Sequence, residues 1–296
     1  MKAALLPDRG VVKVSGDTAH EFLNGLLTAD IGKVTPERAR FAALLTPQGK
    51  IIVDCIVAEA GPALGGGLFL DCPRALAPAL AAKLNFYKLR ARVAVEDLSG
   101  KLAVMALWGG AGASEFGLAY ADPRLPALGA RLVLPPDQAA AAAADLGAEL
   151  VDAAAYEAHR IALGVPRGGA DFTYGDAFPH ETDMDQLGGV DFDKGCYVGQ
   201  EVVSRMEHRG TARTRIVAAR YGDAAPETGV AVTAGDRQIG TFGSARDGRG
   251  IALVRIDRVA DARSAGVAIA AGGVPIEIEV PAWAHFALPT GEKAAE

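Results

Sequence analysis

The chain has 296 residues, half of them hydrophobic, and a net charge of −6. This length and composition predict a large core divided into two or three domains. The acidic balance provides no basic field to recruit nucleic acid, and no apolar run approaches the roughly 20 residues that span a bilayer.

The N-terminal part predicts a mixture of strands and helices. Residues 11–14 predict a strand, and residues 17–27 predict a helix that begins with a capping box formed by Thr18 and Glu21. A pair of strands is predicted around a turn at 47–49. The other predicted elements are a strand at 65–72, a helix at 73–87, a second strand pair within 91–109, and helices at 137–146 and 152–163.

The pattern changes near residue 212. From Thr214 onward, short apolar runs alternate with Gly and Asp turns, which is typical of a small antiparallel β-barrel. We therefore expect an α+β region at 1–212, composed of two subdomains, a barrel at 213–287 and a flexible tail at 288–296.

The segment 193–205, "DKGCYVGQEVVSR", holds the densest group of reactive side chains. An apolar helical face follows Cys196, and Gly210 predicts the helix end. This pattern places Cys196 at or just before a helix N-terminus, where outward N–H groups and the helix dipole stabilise a thiolate. Lys194 would add positive charge. Because most cysteines are inert packing groups, these residues alone leave open whether Cys196 reacts or packs.

Two other clusters carry weaker signals. The segment "FPHETDMDQL" brings one histidine close to several acids, which suits either a metal or a solvated turn. We favour the turn and assign no metal ligand. A basic stretch runs from Arg205 to Arg215 and suits a solvated surface, an anionic ligand or, more weakly, RNA. The histidine and acids of the first cluster are His180, Glu181, Asp183 and Asp185. The arginines of the basic stretch are Arg205, Arg209, Arg213 and Arg215.

The cysteine spacing bears on the cellular compartment. Cys55 and Cys72 fall in strand patterns and are expected to pack in the core. With Cys196 far away, no paired disulfide or zinc motif is present, and the N-terminus lacks the apolar core of a secretory signal. A reducing, cytoplasmic location is expected.

The string "KGCYVGQE" at 194–201 resembles the signature of the YgfZ family of folate-binding proteins. This family is related to the aminomethyltransferase, or T-protein, of the glycine cleavage system, and it includes assembly factors for [4Fe-4S] proteins. Further segments agree in order and spacing, among them "FLNGLLTADI", "LLTPQGKIIVD", "LNFYKLRARVAVED" and "HRIALGVPRGG". The resemblance covers nearly the whole chain.

The resemblance implies a T-protein-like fold of mixed α/β subdomains with a C-terminal β-barrel, and tetrahydrofolate or a derivative as ligand. It implies Cys196, assisted by Lys194, as the functional group. The expected folate-binding residues are Asp54, Arg160, Tyr197, Gly199, Gln200, Glu201 and Arg205.

One departure from the T-protein pattern concerns the pterin contact. Where the transferase has a glutamate, "RIALG" at 160–164 places Ala162. A carboxylate can accept two charge-assisted hydrogen bonds from the edge of a pterin. The absence of this glutamate therefore makes ordinary aminomethyl transfer doubtful.

The resemblance therefore implies an accessory factor that matures or repairs iron–sulfur proteins, including tRNA-modifying enzymes. Its partners would be iron–sulfur client enzymes or cluster-assembly proteins, with no membrane and no direct nucleic-acid contact. The alternatives are a folate-dependent one-carbon transferase, with Asp54 as its acid/base group, and a tRNA-binding module that uses the basic stretch.

Overall fold

The chain folds into two units, and each unit is built from separate stretches of sequence. The computed structural model describes residues 1–110, 114–210 and 212–289. The first unit comprises Met1–Tyr156 and Leu187–Glu201, and the second comprises Glu157–Gln186 and Val202–Glu296. These units do not follow a single boundary at residue 212, because 157–186 groups with the C-terminal part. Most of the tail expected at 288–296 lies outside the described residues.

Within the described residues, the first unit contains two five-stranded sheets and three complete helices. Its strands are β1 (Lys2–Leu6), β2 (Arg9–Ser15), β3 (Arg40–Leu45), β4 (Ile51–Glu59), β5 (Leu68–Pro73), β6 (Ala94–Asp97), β7 (Ala103–Trp108), β8 (Leu118–Ala121), β9 (Ala130–Leu134) and β10 (Glu149–Leu150). Its helices are α1 (Ala19–Asn24), α2 (Ala77–Tyr87) and α3 (Ala139–Asp145). The sheet orders are β3-β4-β5-β2-β6 and β10-β1-β7-β9-β8.

Each sheet packs one face against helices. In the first sheet, alternate residues of β4 and β5 pack with Leu23 of α1 and with Leu80 and Leu84 of α2. In the second sheet, Met105 and Leu132 pack against the alanines of α3. Because successive strand residues point to opposite faces, Asp71 on β5 points to the face away from the helices.

A buried ionic network joins the two sheets. The Asp71 carboxylate accepts hydrogen bonds from Arg9 Nε at 2.6 Å, from Arg131 Nη1 on β9 at 2.9 Å and from the Tyr120 hydroxyl on β8 at 3.0 Å. Burial by itself would raise the pKa of Asp71, but Arg9 and Arg131 hold it below its usual value. Arg131 also pairs with Asp122 at 3.2 Å, so the arginine between the sheets is balanced by two carboxylates.

The second unit is built around a closed antiparallel barrel, as the sequence predicts. Its strands follow the order β11-β14-β13-β12-β15-β16. Phe242 is fully buried at its centre, and the apolar face of helix α6 contributes Val259. The elements are β11 (Thr214–Tyr221), β12 (Ala231–Ala234), β13 (Arg237–Arg246), β14 (Arg249–Arg255), α6 (Ile256–Ser264), β15 (Ile269–Ala271) and β16 (Val274–Glu279).

Two further helices include the points where the chain passes from one unit to the other. Helix α4 (Ala153–Ala162) contains the passage at 156–157, and helix α5 (Gln200–Arg209) contains the passage at 201–202. Both were predicted, and Gly210 ends α5 with a φ of 56°. Among the described residues, no helix is long and apolar enough to cross a membrane.

Several local predictions were wrong. The hydroxyl of Thr18 does not cap α1, so no capping box forms there. The strands predicted as a pair within 91–109 belong to different sheets, since β6 pairs with β2 whereas β7 pairs with β1 and β9. The sequence analysis also missed β1, the short strands β8 and β9, and helix α6.

The network around Asp71 gives a stability prediction. Asp71→Asn leaves two buried guanidinium groups without their shared carboxylate, so we expect a loss of about 3–5 kcal/mol in the free energy of unfolding. Urea unfolding followed by circular dichroism measures this free energy. Glu96→Gln, on the exposed strand β6, is the control and should change stability by less than about 0.5 kcal/mol. Equal effects of the two substitutions would contradict a structural role for the network.

Candidate functional site

Cys196 lies exposed in the loop that leads to α5. The prediction placed Cys196 at or just before the helix N-terminus, but the helix begins only at Gln200, so the thiol lies outside its first turn. Since the helix dipole acts mainly within the first turn, the argument that the helix start activates Cys196 was wrong. Exposure, however, separates Cys196 clearly from the two other cysteines.

Cys55 and Cys72 are core residues, as their strand patterns predict. Both are fully buried in the core of the first unit, between the first sheet and its helices. Burial raises the pKa of Cys72 to about 12 and that of Cys55 well above its usual value. Their thiols are therefore held protonated and shielded, and Cys196 is the one cysteine that a partner can reach.

Lys194 anchors the loop that carries Cys196. Its ammonium donates to the backbone carbonyls of Asn24 at 2.6 Å, Leu27 at 2.7 Å and Ala29 at 2.8 Å. These acceptors use all three ammonium protons. Burial lowers the pKa of Lys194 to about 8, although the carboxylates of Asp30 and Asp191 favour the protonated form. These bonds give Lys194 a structural role, and the assistance to Cys196 expected from its positive charge stays a prediction.

Tyr197 and Gly199 secure the other side of the loop. The Tyr197 ring is buried with its centroid 5.2 Å from Lys194 Nζ, and burial, with Asp191 nearby, raises the pKa of its hydroxyl to about 12. Gly199 has a φ of 84°, and a Cβ there would lie 2.5 Å from the carbonyl oxygen of Thr46. Both residues were expected to contact folate, and the structure gives each of them a packing role.

A second set of polar contacts fixes the residues just before the loop, and the sequence analysis missed it. The Thr28 hydroxyl is buried and donates to the carbonyl of Gly189 at 2.5 Å. The Asp191 carboxylate accepts from Lys33 Nζ at 2.7 Å. The partners are more than 150 residues apart in sequence, so no local pattern could have revealed these bonds.

The remaining expected ligand residues fall in both units. Asp54 is buried on β4, while Gln200 and Glu201 form the start of α5 in the first unit. Arg205 is exposed on the part of α5 that belongs to the second unit. Arg160 also belongs to the second unit.

Arg160 cannot offer a hydrogen bond to a ligand. Its Nη1 donates to the Val165 carbonyl and to Asp171, its Nη2 to Glu157 and Ser244, and its Nε to Glu157. A guanidinium has five N–H donors, and these contacts use all of them. The side chain is 2% exposed and joins α4 to the barrel strand β13, so no hydrogen-bond donor of Arg160 supports the folate-binding role predicted for it.

The segment 178–187 is not the solvated turn that was predicted. His180 is 1% exposed and Asp183 is fully buried. Arg215 reaches this segment from β11 and pairs with Asp185 at 2.6 Å and Asp183 at 3.3 Å. The predicted basic stretch is thus broken, because its last arginine points into the unit and is already paired.

Comparison with known proteins places this architecture in a family. Residues 213–286 match the model of a protein family described as "CAF17, C-terminal beta-barrel domain". A protein of Mycosarcoma maydis named as a mitochondrial iron-sulfur cluster assembly factor IBA57 homolog is 36% identical over 229 residues, which are 73% of this chain and 56% of that protein. The human mitochondrial factor IBA57 is 32% identical over 279 residues, which are 86% of this chain and 77% of the human protein. This chain belongs to the IBA57 family.

The IBA57-family chain spans just over half the length of its fungal relative. Its fold also matches a solved structure of another kind. The glycine cleavage system aminomethyltransferase T from Bartonella henselae aligns with a TM-score of 0.73, at 18% identity, over 96% of this chain and 86% of that protein. The T-protein-like fold with a C-terminal barrel, expected from the sequence, is confirmed.

The two glycines beside Cys196 allow a matched test of the loop. Gly199→Ala forces an L residue into a left-handed backbone and against the Thr46 carbonyl, so we expect a loss of at least about 1–2 kcal/mol in stability. A Cβ at Gly195 meets nothing within 4 Å, and its φ is not positive. Gly195→Ala should therefore change the urea midpoint little. A larger loss for Gly195→Ala than for Gly199→Ala would contradict this account of the loop.

Proposed function

We propose that this IBA57-family protein is an accessory factor for the maturation or repair of iron–sulfur proteins, with Cys196 as its functional group. The observation that carries the proposal is the combination of one exposed thiol with an anchored loop. Lys194 and Gly199 hold the chain on either side of Cys196. Relatives named as iron-sulfur cluster assembly factors support the function.

The number of thiols limits what Cys196 does with a cluster. Such clusters are held by about four ligands, and Cys196 supplies one. The cluster is therefore cargo that is shared with a partner, either a cluster-assembly protein or an iron–sulfur client enzyme. We include [4Fe-4S] clients, among them enzymes that modify tRNA. A reducing compartment, proposed here as the cytoplasm, keeps Cys196 in its thiol form.

Removing the thiol tests this function. In cells that lack the native protein, Cys196→Ala should fail to restore the activity of [4Fe-4S] enzymes, because the shared ligand is lost. Asp193→Asn, an exposed change in the same loop, is the control and should restore activity. The purified Cys196→Ala protein should keep its unfolding free energy within about 0.5 kcal/mol, since the side chain is exposed. Full rescue by Cys196→Ala would remove the thiol from the mechanism.

Tetrahydrofolate is the second part of the proposal, and the side chains support it only in part. Lys194 and Arg160 have no donor to offer, Tyr197 is buried, and Ala162 replaces the expected pterin-reading carboxylate. No step of the proposed function is therefore assigned to folate. Asp54, Gln200 and Glu201 are the expected ligand residues that remain in the first unit.

A titration tests the folate part separately. We expect bound tetrahydrofolate to slow the alkylation of Cys196 at least about twofold, since Gln200 and Glu201 follow the thiol closely in the chain. Calorimetry on the wild type and on Cys196→Ser measures binding, and mass spectrometry measures alkylation. Folic acid, the oxidised form, is the comparison ligand. If the alkylation rate of Cys196 is unchanged in excess tetrahydrofolate, the proposal that folate binds next to the thiol is wrong. This holds even if calorimetry shows that folate binds elsewhere.

The two alternative functions have less support. Likeness to an aminomethyltransferase at 18% identity concerns the fold, and Ala162 stands against aminomethyl transfer. The tRNA-binding hypothesis relied on an exposed basic stretch, but Arg215 is buried and paired with Asp183 and Asp185.

A further inference from the structure

The second unit contains a group of metal-ligating side chains that the proposed function does not use. His180 and Asp185 come from the segment 178–187, and Glu207 comes from α5. We propose that these three residues bind a divalent first-row transition-metal ion. The proposal is independent of Cys196 and of folate.

The geometry of the group fits a single ion. One ligand atom from each residue lies within 4.8 Å of the other two. His180 Nε2 and Glu207 Oε2 are 3.0 Å apart. Two ligands that each lie about 2.1 Å from one metal ion, at an angle near 90°, are also about 3.0 Å apart. The imidazole and the Glu207 carboxylate are therefore close enough to share one ion, which would replace the hydrogen bond between them.

The surroundings of Asp185 resemble the outer shell of a metal site. Its Oδ1 accepts a hydrogen bond from Arg215 at 2.6 Å, and its Oδ2 accepts one from the Gln186 amide at 2.7 Å. Ligating carboxylates are commonly held in this way by second partners that fix their orientation. Each oxygen keeps a further lone pair for a metal.

The charges near the group favour a cation. Asp185 and Glu207 bring two carboxylates to His180, and Asp183 adds a third carboxyl group beside Arg215. Asp183 is fully buried, and its Oδ2 has no hydrogen-bond partner among the described residues. A divalent ion would be shared by the Asp185 and Glu207 carboxylates, whereas the His180–Glu207 hydrogen bond engages Glu207 alone.

The donor set indicates the class of metal. One imidazole and two carboxylates suit Zn²⁺, Mn²⁺ or Fe²⁺ better than a soft ion that prefers thiolates. The ligand residues differ in exposure: His180 is buried, whereas the side chain of Glu207 is 46% exposed. The exposed side gives the ion a path from solvent and leaves room for water to complete its coordination.

The test uses tag-free, chelator-treated protein in which Cys196→Ser removes the exposed thiol as a competing ligand. Zn²⁺ is titrated in competition with a chromophoric chelator, and Mn²⁺ binding is followed by the loss of the aqueous ion's electron paramagnetic resonance signal. We expect one ion per chain. Glu207→Gln should weaken binding at least about tenfold. His208→Asn, an exposed substitution at the next position of α5, should leave binding unchanged.

Glu207→Gln is the decisive variant, because Glu207 is partly exposed and its substitution leaves the core intact. His180→Asn should also weaken binding at least about tenfold, but His180 is buried, so circular dichroism must first show that the variant is folded. The proposal is overturned if the parent protein binds neither ion stoichiometrically. It is equally overturned if Glu207→Gln binds as tightly as its parent, or if His208→Asn weakens binding as much as Glu207→Gln.

Discussion

The ammonium of Lys194, held by three backbone carbonyls, is the interaction on which the candidate site depends. The carbonyls of Asn24, Leu27 and Ala29 lie where α1 ends, so one buried cation ties the Cys196 loop to the N-terminal part of the first unit. A buried charge is costly unless its hydrogen bonds are satisfied, and here each ammonium proton has an acceptor. The loop can therefore expose its thiol while its backbone stays fixed.

Much of the fold could be predicted because its signals are local. Apolar alternation broken by Gly turns revealed the barrel, and the turn at 47–49 revealed the hairpin of β3 and β4. Strand partners are not a local property, which is why β6 and β7 were wrongly paired. The four residues of β8 are too few to show a period, and the helix α6 follows directly on β14 without a turn signal.

The candidate site could be located from the sequence, but its side-chain roles could not. The motif around Cys196 identified the exposed thiol. The anchoring bonds of Lys194 and the Arg160–Ser244 bond reach distant segments, so only the folded chain shows that every donor of these two side chains is used. The same holds for His180, whose partner Glu207 is 27 residues away on α5. A charged residue in a motif is thus equally consistent with ligand binding and with internal pairing.

The interleaving of the two units bears on how the chain is synthesised. The N-terminal unit ends with residues 187–201, which leave the ribosome only after 157–186, a segment of the other unit, has already emerged. Lys194 reaches its carbonyl acceptors across more than 160 residues. The cysteine loop therefore cannot close on a nascent chain that stops before it. Contacts of such long sequence separation form slowly, so the carbonyls of Asn24, Leu27 and Ala29 stay without the Lys194 ammonium until the end of the first unit has emerged.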